Sequence, residues 1–299
     1  MQKLSLLTIA AMLICLAACE KGPEAEIQDT VSQQEIEGPG ISNPGDPDGV
    51  DEPDSAIIAD EPVDPLDFTI PKVCFDKVIA GEDTSDVETN GVFVRGNKWP
   101  VGATLKVYFI NGSTYLRGKV MEYARYWSRH ANIKFVKTNN KAQSDIRVGF
   151  KIDGDKGSWS YIGSYANQLK GKQTMNYGWF NRQTEERELR RTIVHEFGHA
   201  IGLGHEQSNP DADINWNRPA VYEYYMGPPN NWTREQVNSN VFFKYRKKDV
   251  RNTSWDKESI MQYPIDAAFT RDGLEIGFNR NLSDKDKAFI AKIYPAGNN

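Results

Sequence analysis

The amino-acid sequence predicts an α+β domain arranged in two lobes. Residues 104–150 contain strand-like runs separated by one amphipathic helix, and a long helical segment follows near residues 184–200. The chain after that helix is irregular until a terminal helix at residues 284–294. Strands grouped before a long helix, with loops and one helix after it, favour a mixed α+β architecture in two lobes.

The first lobe begins with a strand and an amphipathic helix. Residues 104–110 are rich in β-branched and aromatic side chains, which is typical of a strand. Asn111 and Gly112 end this strand, and Ser113 can then cap a helix. Apolar residues recur along that helix at helical spacing, at Leu116, Val120, Tyr123 and Trp127. Further strands are predicted at residues 133–136, 145–150 and 173–179.

Two later helices have recognisable first turns. Thr184 can cap the first of them, and three glutamates follow near its positive end. Ser283 can cap the second, at residues 284–294, and Pro295 with Gly297 can close it. The chain between these two helices is predicted to be irregular.

The first 19 residues predict export. Lys3 precedes a nearly continuous apolar run over residues 4–16, which is too short to span a bilayer. Residues 16–19, Leu-Ala-Ala-Cys, resemble a bacterial lipobox, in which the cysteine carries lipid and becomes the mature N-terminus. An ordinary secretory signal with an incidental cysteine is the alternative. The lipobox predicts an exported lipoprotein, anchored through Cys19 to a bacterial envelope membrane at its periplasmic or cell-surface face.

Residues 20–69 are predicted to form a disordered tether. They contain 15 acidic residues, seven prolines and one basic residue, a composition that buries too little apolar surface to fold. Residues 70–299 carry 34 basic and 26 acidic residues, so that part of the chain has a net charge of +8. No run of lysine and arginine there is dense enough to indicate a nucleic-acid partner.

Residues 195–205 carry the chemistry, and they read His-Glu-Phe-Gly-His-Ala-Ile-Gly-Leu-Gly-His. His195 and His199 are four residues apart, so their imidazoles lie on one face of a helix. The next two glycines let the chain turn back, which can bring His205 to the same point. Three neutral imidazoles and a water make the open tetrahedral site of a catalytic zinc ion.

Glu196 lies beside the two helical histidines and can reach a zinc-bound water without being a ligand. Three of the four histidines in the chain have this spacing, which argues against a helix with incidental histidines. The segment therefore predicts one Zn²⁺ as cofactor and Glu196 as the general base.

This segment resembles the metzincin metallopeptidases, and the residues that follow narrow the resemblance to the astacins. Glu206 follows the third histidine as in astacins, and Asp211 and Asp213 occupy the family's two aspartate positions. Asn209 stands where the family has arginine. By this resemblance Glu206 is a partner of the mature N-terminus; a solvated or locally hydrogen-bonded carboxylate is the alternative.

Residues 259–263, Ser-Ile-Met-Gln-Tyr, resemble the astacin Met-turn, with Gln262 in place of the family's histidine. The resemblance implies that Met261 forms a hydrophobic floor under the zinc ion. It also implies that Tyr263 is a switchable fifth metal ligand that can stabilise the oxyanion of the reaction. Both residues could instead be ordinary core side chains.

The resemblance covers about residues 95–295. It implies a zincin-like (metzincin) two-lobed catalytic domain at residues 95–299, with a mixed twisted sheet, a zinc helix and the Met-turn. Residues 70–94 are then a short pre-domain or pro-segment. Astacins normally carry two disulfides, whereas Cys74 is the one cysteine left after residue 19, which favours a divergent bacterial branch of the family.

The function implied is a zinc-dependent endopeptidase that hydrolyses protein or peptide substrates by Glu196-assisted attack of a zinc-bound water. Residues 173–179 are expected to form the cleft edge that pairs with an extended substrate. One alternative is a surface binding module that keeps the zinc fold without cleaving. The other is a zinc hydrolase that acts on a substrate other than a peptide.

A side chain of the pre-domain commonly keeps metzincins inactive by occupying the open metal position. Residues 71–76 read Pro-Lys-Val-Cys-Phe-Asp, so the Cys74 thiolate is one candidate for this role. Asp76 and Asp83 are candidates through their oxygens. The alternative is that Cys74 is a small buried hydrophobe and that no switch exists.

Overall fold

A computed structural model describes residues 74–77, 92–228 and 230–297. All of them belong to one compact unit, Ala59–Asn299. The predicted signal and tether, residues 1–19 and 20–69, lie outside the described residues. In the part of the chain that is described, no helix combines the length and apolar character needed to cross a membrane.

A six-stranded mixed sheet forms the first lobe. In chain order the strands are β1 (Cys74–Lys77), β2 (Phe93–Val94), β3 (Thr104–Phe109), β4 (Lys134–Lys137), β5 (Ile146–Gly149), β6 (Ser158–Tyr161), β7 (Met175–Tyr177) and β8 (Val250–Arg251). The sheet order is β1-β6-β7-β5-β3-β4, and β2 pairs with β8 in a separate antiparallel ribbon. Strand β6 runs antiparallel to β7 and parallel to β1, and all other neighbours in the sheet are parallel.

The edge of this sheet differs from the prediction. Residues 173–179 contain β7, but β7 is hydrogen-bonded to β6 on one side and to β5 on the other. An interior strand has no unpaired backbone to offer, so the expectation that residues 173–179 form the cleft edge is wrong. On this side of the sheet β6 is the strand next to the edge, and β1 pairs with its outer side in this structure.

The described residues also form five α-helices, which are α1 (Thr114–Ser128), α2 (Glu186–Ala200), α3 (Arg218–Met226), α4 (Arg234–Val237) and α5 (Asp284–Ile293). Ser113 and Ser283 cap α1 and α5 as predicted. Thr184 does not cap α2, because its hydroxyl accepts a hydrogen bond from the Asn181 amide instead. Helices α3 and α4 lie in the stretch that was expected to be irregular.

Two hydrophobic cores give the domain its two lobes. The first joins the sheet to α1, α2 and α5, and the second surrounds α3 and α4. The apolar face predicted for α2 lies in the first core, where Leu189, Ile193, Phe197 and Ala200 are at most 3% exposed. The predicted α+β fold in two lobes is therefore confirmed.

The C-terminal end of α2 is held by side chains from both ends of the domain. Trp99 Nε1 donates to the Ala200 carbonyl at 2.8 Å, and the Tyr294 hydroxyl donates to the Ile201 carbonyl at 2.8 Å. Last-turn carbonyls lack partners inside a helix, so these bonds stabilise the helix end. Gly202 then adopts φ +108°, and a β-carbon there would lie 2.3 Å from the Phe93 ring. Only glycine fits this reversal, which directs the chain back toward the helix.

The N-terminal boundary of the domain lies slightly earlier than residue 95. Val92 and Phe93 are each 2% exposed, and the Gly204 amide donates to the Val92 carbonyl at 2.9 Å. Residues 92–94 thus pack as part of the catalytic domain, although their sequence has no periodicity that would indicate it.

Candidate active site

Three imidazoles meet at the exit of α2. The Nε2 atom of His205 lies 3.3 Å from His195 Nε2 and 3.1 Å from His199 Nε2. The three residues are at most 4% exposed. The helical spacing supplies the first two rings, and the reversal after Gly202 supplies the third.

Backbone carbonyls orient the two helical rings. His195 Nδ1 lies 2.7 Å from the Ile260 carbonyl, and His199 Nδ1 lies 2.8 Å from the Leu203 carbonyl. A carbonyl oxygen can only accept, so Nδ1 carries the proton in each ring and Nε2 keeps its lone pair for a metal. Burial, followed by the neighbouring imidazoles, holds the pKa of His195 well below its usual value and keeps the ring neutral. This donor set fits one zinc ion.

The Met-turn is attached to α5 by one carboxylate. Asp286 accepts hydrogen bonds from the Ser259 hydroxyl at 2.7 Å and from the Ile260 amide at 2.8 Å. Because the Ile260 carbonyl orients His195, Asp286 helps to position His195 indirectly, by holding the Ile260 backbone. Asp286 was not among the predicted site residues, although its spacing of three residues after Ser283 is that of a capping box.

Met261 packs under the zinc helix. A β-carbon added to Gly198 would lie 2.4 Å from the Met261 sulfur, so glycine at this position is what lets the methionine approach the helix. Met261 is 2% exposed and belongs to the first core. Its place next to α2 is the one that the Met-turn resemblance implies.

Glu196 and Tyr263 both contact β1. Glu196 is fully buried, and its Oε2 accepts a hydrogen bond from the Cys74 thiol at 3.1 Å. The Tyr263 hydroxyl donates to the Cys74 carbonyl. The Tyr263 ring lies 4.2 Å from the His205 ring, centroid to centroid. The predicted base and the predicted oxyanion donor therefore engage the same residue of the pre-domain.

Cys74 also lies beside the imidazoles. One ligand atom from each of Cys74, His195, His199 and His205 falls within a group no more than 4.8 Å across. Of the other two latency candidates, Asp83 lies outside the described residues. Asp76 is placed by its backbone in β1, opposite Ser160.

Glu206 is hydrogen-bonded to its own loop and to a distant segment. It is 3% exposed, and its Oε1 accepts hydrogen bonds from Asn209 Nδ2 at 2.8 Å and from the Asp256 amide at 3.0 Å. Burial raises the pKa of Glu206 to about 8. Asn209, the residue that departs from the astacin pattern, is thus a direct partner of Glu206.

A narrow cleft opens beside Glu196 and His195. Trp179, Arg191, Thr192 and Phe278 contribute to its walls, and Cys74 lies at the same cleft. Arg191 forms a salt bridge to Glu188 at 2.7 Å and stacks over Phe278. Trp179 ends the segment that was expected at the cleft, whereas Arg191, Thr192 and Phe278 were not singled out from the sequence.

Comparison with known proteins decides the family. Residues 94–294 match Astacin (Peptidase family M12A). The chain belongs to the astacin family. The predicted metzincin fold, zinc cofactor and zinc endopeptidase class are confirmed at the level of this astacin domain.

Individual relatives agree with this assignment. The astacin domain is similar to the solved structure of myroilysin, with 41% identity and a TM-score of 0.67 over 69% of this chain and the whole of that one. It is 27% identical over 211 residues to zinc metalloproteinase nas-36 of Haemonchus contortus and 26% identical over 195 residues to blastula protease 10 of Paracentrotus lividus. These matches cover 66% and 62% of this chain, but 31% and 28% of the two relatives.

Proposed function

We propose that the protein hydrolyses peptide bonds in proteins or peptides as a zinc-dependent endopeptidase. The observation that carries this proposal is the convergence of three buried imidazoles next to the Glu196 carboxylate. A zinc ion held by His195, His199 and His205 supplies Lewis acidity, which polarises a carbonyl and acidifies a water.

Two side chains move or hold protons in this reaction. Glu196 follows His195 directly on α2, so its carboxylate accepts the proton of the attacking water and passes it to the leaving amine. Tyr263 lies against the His205 ring, so its hydroxyl can donate a hydrogen bond to the oxyanion or ligate the metal once it leaves the Cys74 carbonyl.

The substrate binds extended along β6. The outer edge of β6 already accepts one extended chain, because β1 pairs with it over four residues. A substrate that replaces β1 gains the same backbone hydrogen bonds and passes beside Glu196. The residue whose amine leaves lies next to Glu196, and its side chain enters the cleft walled by Trp179 and Phe278.

Substitution of the base tests this activity. Glu196→Ala should keep its zinc and its fold but lose casein hydrolysis by about 10²–10⁴-fold, because the base is not a ligand. Glu185→Ala is the matched control, since Glu185 is exposed and precedes the same helix. A Glu196→Ala protein that cleaves casein at the wild-type rate would refute the mechanism. An inactive zinc-loaded wild type, freed of β1, would favour a binding module.

Latency by Cys74 is the regulatory part of the proposal. In the described structure β1 engages all the reactive groups: the thiol lies at the metal-ligand group and at Glu196, and the backbone carbonyl of Cys74 holds Tyr263. A thiolate is a strong zinc ligand, so Cys74 can take the position of the catalytic water. These contacts favour the thiol over Asp76 and Asp83 as the latency group.

Activation requires β1 to leave the sheet edge. Residues 92–94 are packed into the domain, so a clip within residues 78–91 would free β1 without opening the core. A clip close to Val92 would also create an N-terminus near Gly204, two residues before Glu206. This position supports the role of Glu206 as a partner of the mature N-terminus, with Asn209 as its present partner.

The cellular location is a further part of the proposal. The apolar run and the Leu-Ala-Ala-Cys tetrad of residues 16–19 support export and lipid attachment at Cys19. Cys19→Ala should therefore shift the exported protein from the detergent phase to the aqueous phase. Unchanged partitioning of the Cys19→Ala protein would refute the lipid anchor.

A further inference from the structure

Two buried hydroxyls lie in register with Cys74, the residue that contacts the Glu196 base, and take no part in the mechanism above. Cys74, Ser158 and Tyr177 are register partners on the neighbouring strands β1, β6 and β7. Residues paired in this way project from the same face of a sheet, so the three side chains form one row. The row faces α2, because the Cys74 thiol in it contacts Glu196 on that helix.

Neither hydroxyl in this row is satisfied. Ser158 and Tyr177 are both 0% exposed, and within the described residues neither hydroxyl oxygen has a hydrogen-bond partner. Buried hydroxyls in folded proteins are nearly always paired, so two unpaired ones in a row beside a functional carboxylate need an explanation. A partner that becomes accessible in another state of the protein provides one.

Tyr177 is the longer side chain of the pair. Its phenol extends further from the sheet than the side chain of Ser158, and its ring is held by stacking on Phe180 at 4.6 Å between centroids. Burial raises the pKa of Tyr177 well above its usual value, and the charges of Glu196 and Cys74 raise it further.

We infer that Tyr177 is a positioning residue for the Glu196 base. When β1 leaves, the Tyr177 hydroxyl donates to the carboxylate the hydrogen bond that the Cys74 thiol makes in this structure. This inference rests on the proposed function. A buried carboxylate without a hydrogen-bond donor is disfavoured, so the exchange gives Glu196 a new donor and fixes one of its oxygens. The other oxygen then points at the attacking water.

The test compares the clipped, zinc-loaded enzyme with its Tyr177→Phe variant. The variant should lose about 10- to 100-fold in kcat, the effect of one hydrogen bond to a charged group, with KM and zinc content unchanged. In a Glu196→Asp background, where the carboxylate is withdrawn by one methylene, Tyr177→Phe should have a much smaller effect. Tyr225→Phe is the control, because Tyr225 is a buried tyrosine of the second core.

A second measurement uses the full-length chain. Because the hydroxyl is unpaired while β1 is in place, Tyr177→Phe should not lower the thermal midpoint of the latent protein. A lower midpoint, or failure to fold, would mean that the hydroxyl is already bonded and would overturn the inference. Equal kcat for the clipped Tyr177→Phe and wild-type enzymes, or equal losses in both Glu196 backgrounds, would also overturn it. If the clipped wild type cleaves nothing, the proposed function has failed instead.

Discussion

Strands β1 and β2 lie close together in sequence but are held in different ways. Strand β1 pairs with a sheet edge, and its described side chain, Cys74, contacts reactive groups of the site. Strand β2 contributes Phe93, which packs on Gly202 and lies edge-to-face with Tyr294 at 6.3 Å between centroids. Strand β1 is attached to the sheet edge and to the site, whereas β2 is part of the core.

The proposed inhibition depends on β1, whereas the folding of the domain depends on β2. An edge strand can leave and expose only backbone that a substrate can pair with again. A buried aromatic residue cannot leave without opening a cavity in the core. Activation by removal of β1 is therefore compatible with an intact domain, provided that the chain is cut before Val92.

Two deletions are expected to show the largest difference between β1 and β2. A chain lacking residues 1–94 should lose about 3–5 kcal/mol of unfolding free energy relative to one lacking residues 1–91, because it also lacks the Phe93 side chain. Urea denaturation of the two zinc-loaded proteins measures this difference. Equal denaturation midpoints would show that β2 is as dispensable as β1.

Tyr263→Phe should act in opposite directions on the two forms of the enzyme. In the clipped enzyme, loss of an oxyanion donor should lower kcat about 10²–10³-fold with little change in KM. In the full-length chain, the same change removes the hydrogen bond to the Cys74 carbonyl and should loosen β1. Cleavage by a probe protease within residues 78–91 reports that loosening. An effect confined to KM would remove Tyr263 from the oxyanion role.

Substitutions of Cys74 should have the smallest effect and can distinguish its two contacts. Full-length Cys74→Ala should be about 10- to 100-fold more active than full-length wild type, because the sulfur is lost both as a metal ligand in its thiolate form and as a hydrogen-bond donor to Glu196 in its thiol form. Cys74→Ser should be similarly active if the metal contact dominates, but still latent if the hydrogen bond to Glu196 dominates. Clipping within residues 78–91 should abolish the differences among the three proteins.

Zinc removal is an independent test of the contact between Cys74 and the metal site. Chelation should increase cleavage of wild type within residues 78–91 but leave Cys74→Ala unchanged, since only the thiol is bound through the metal. If the full-length wild type, Cys74→Ser and Cys74→Ala proteins are already as active as the clipped enzyme, the thiol switch does not exist.

Local patterns predicted the parts of the molecule that depend on local geometry. The spacing of His195 and His199 fixes their common helical face, and the glycines after them allow the reversal to His205. Capping by Ser113 and Ser283 is equally local, and both caps form. For such features, the sequence within a few turns contains the physical information that is needed.

The features that were missed depend on pairing between distant segments. Strand β6 has serines on its α2-facing side instead of an apolar alternation, so this strand has a weak sequence signal. Whether β7 lies at an edge or in the interior depends on where β6 pairs, and β2 pairs with a strand more than 150 residues later. Helix α4 is only four residues long, which is too short for a periodic pattern.

The contact between Gly198 and Met261 limits which substitutions the metal site can accept. Any side chain at Gly198 would meet the Met261 sulfur, and the same turn carries Ile260, whose carbonyl orients His195. The zinc helix and the Met-turn therefore form one structural unit, although about sixty residues separate them in the chain. A graft of the histidine segment alone into another scaffold would carry over the metal ligands but lose the floor and the carbonyl that hold them in place.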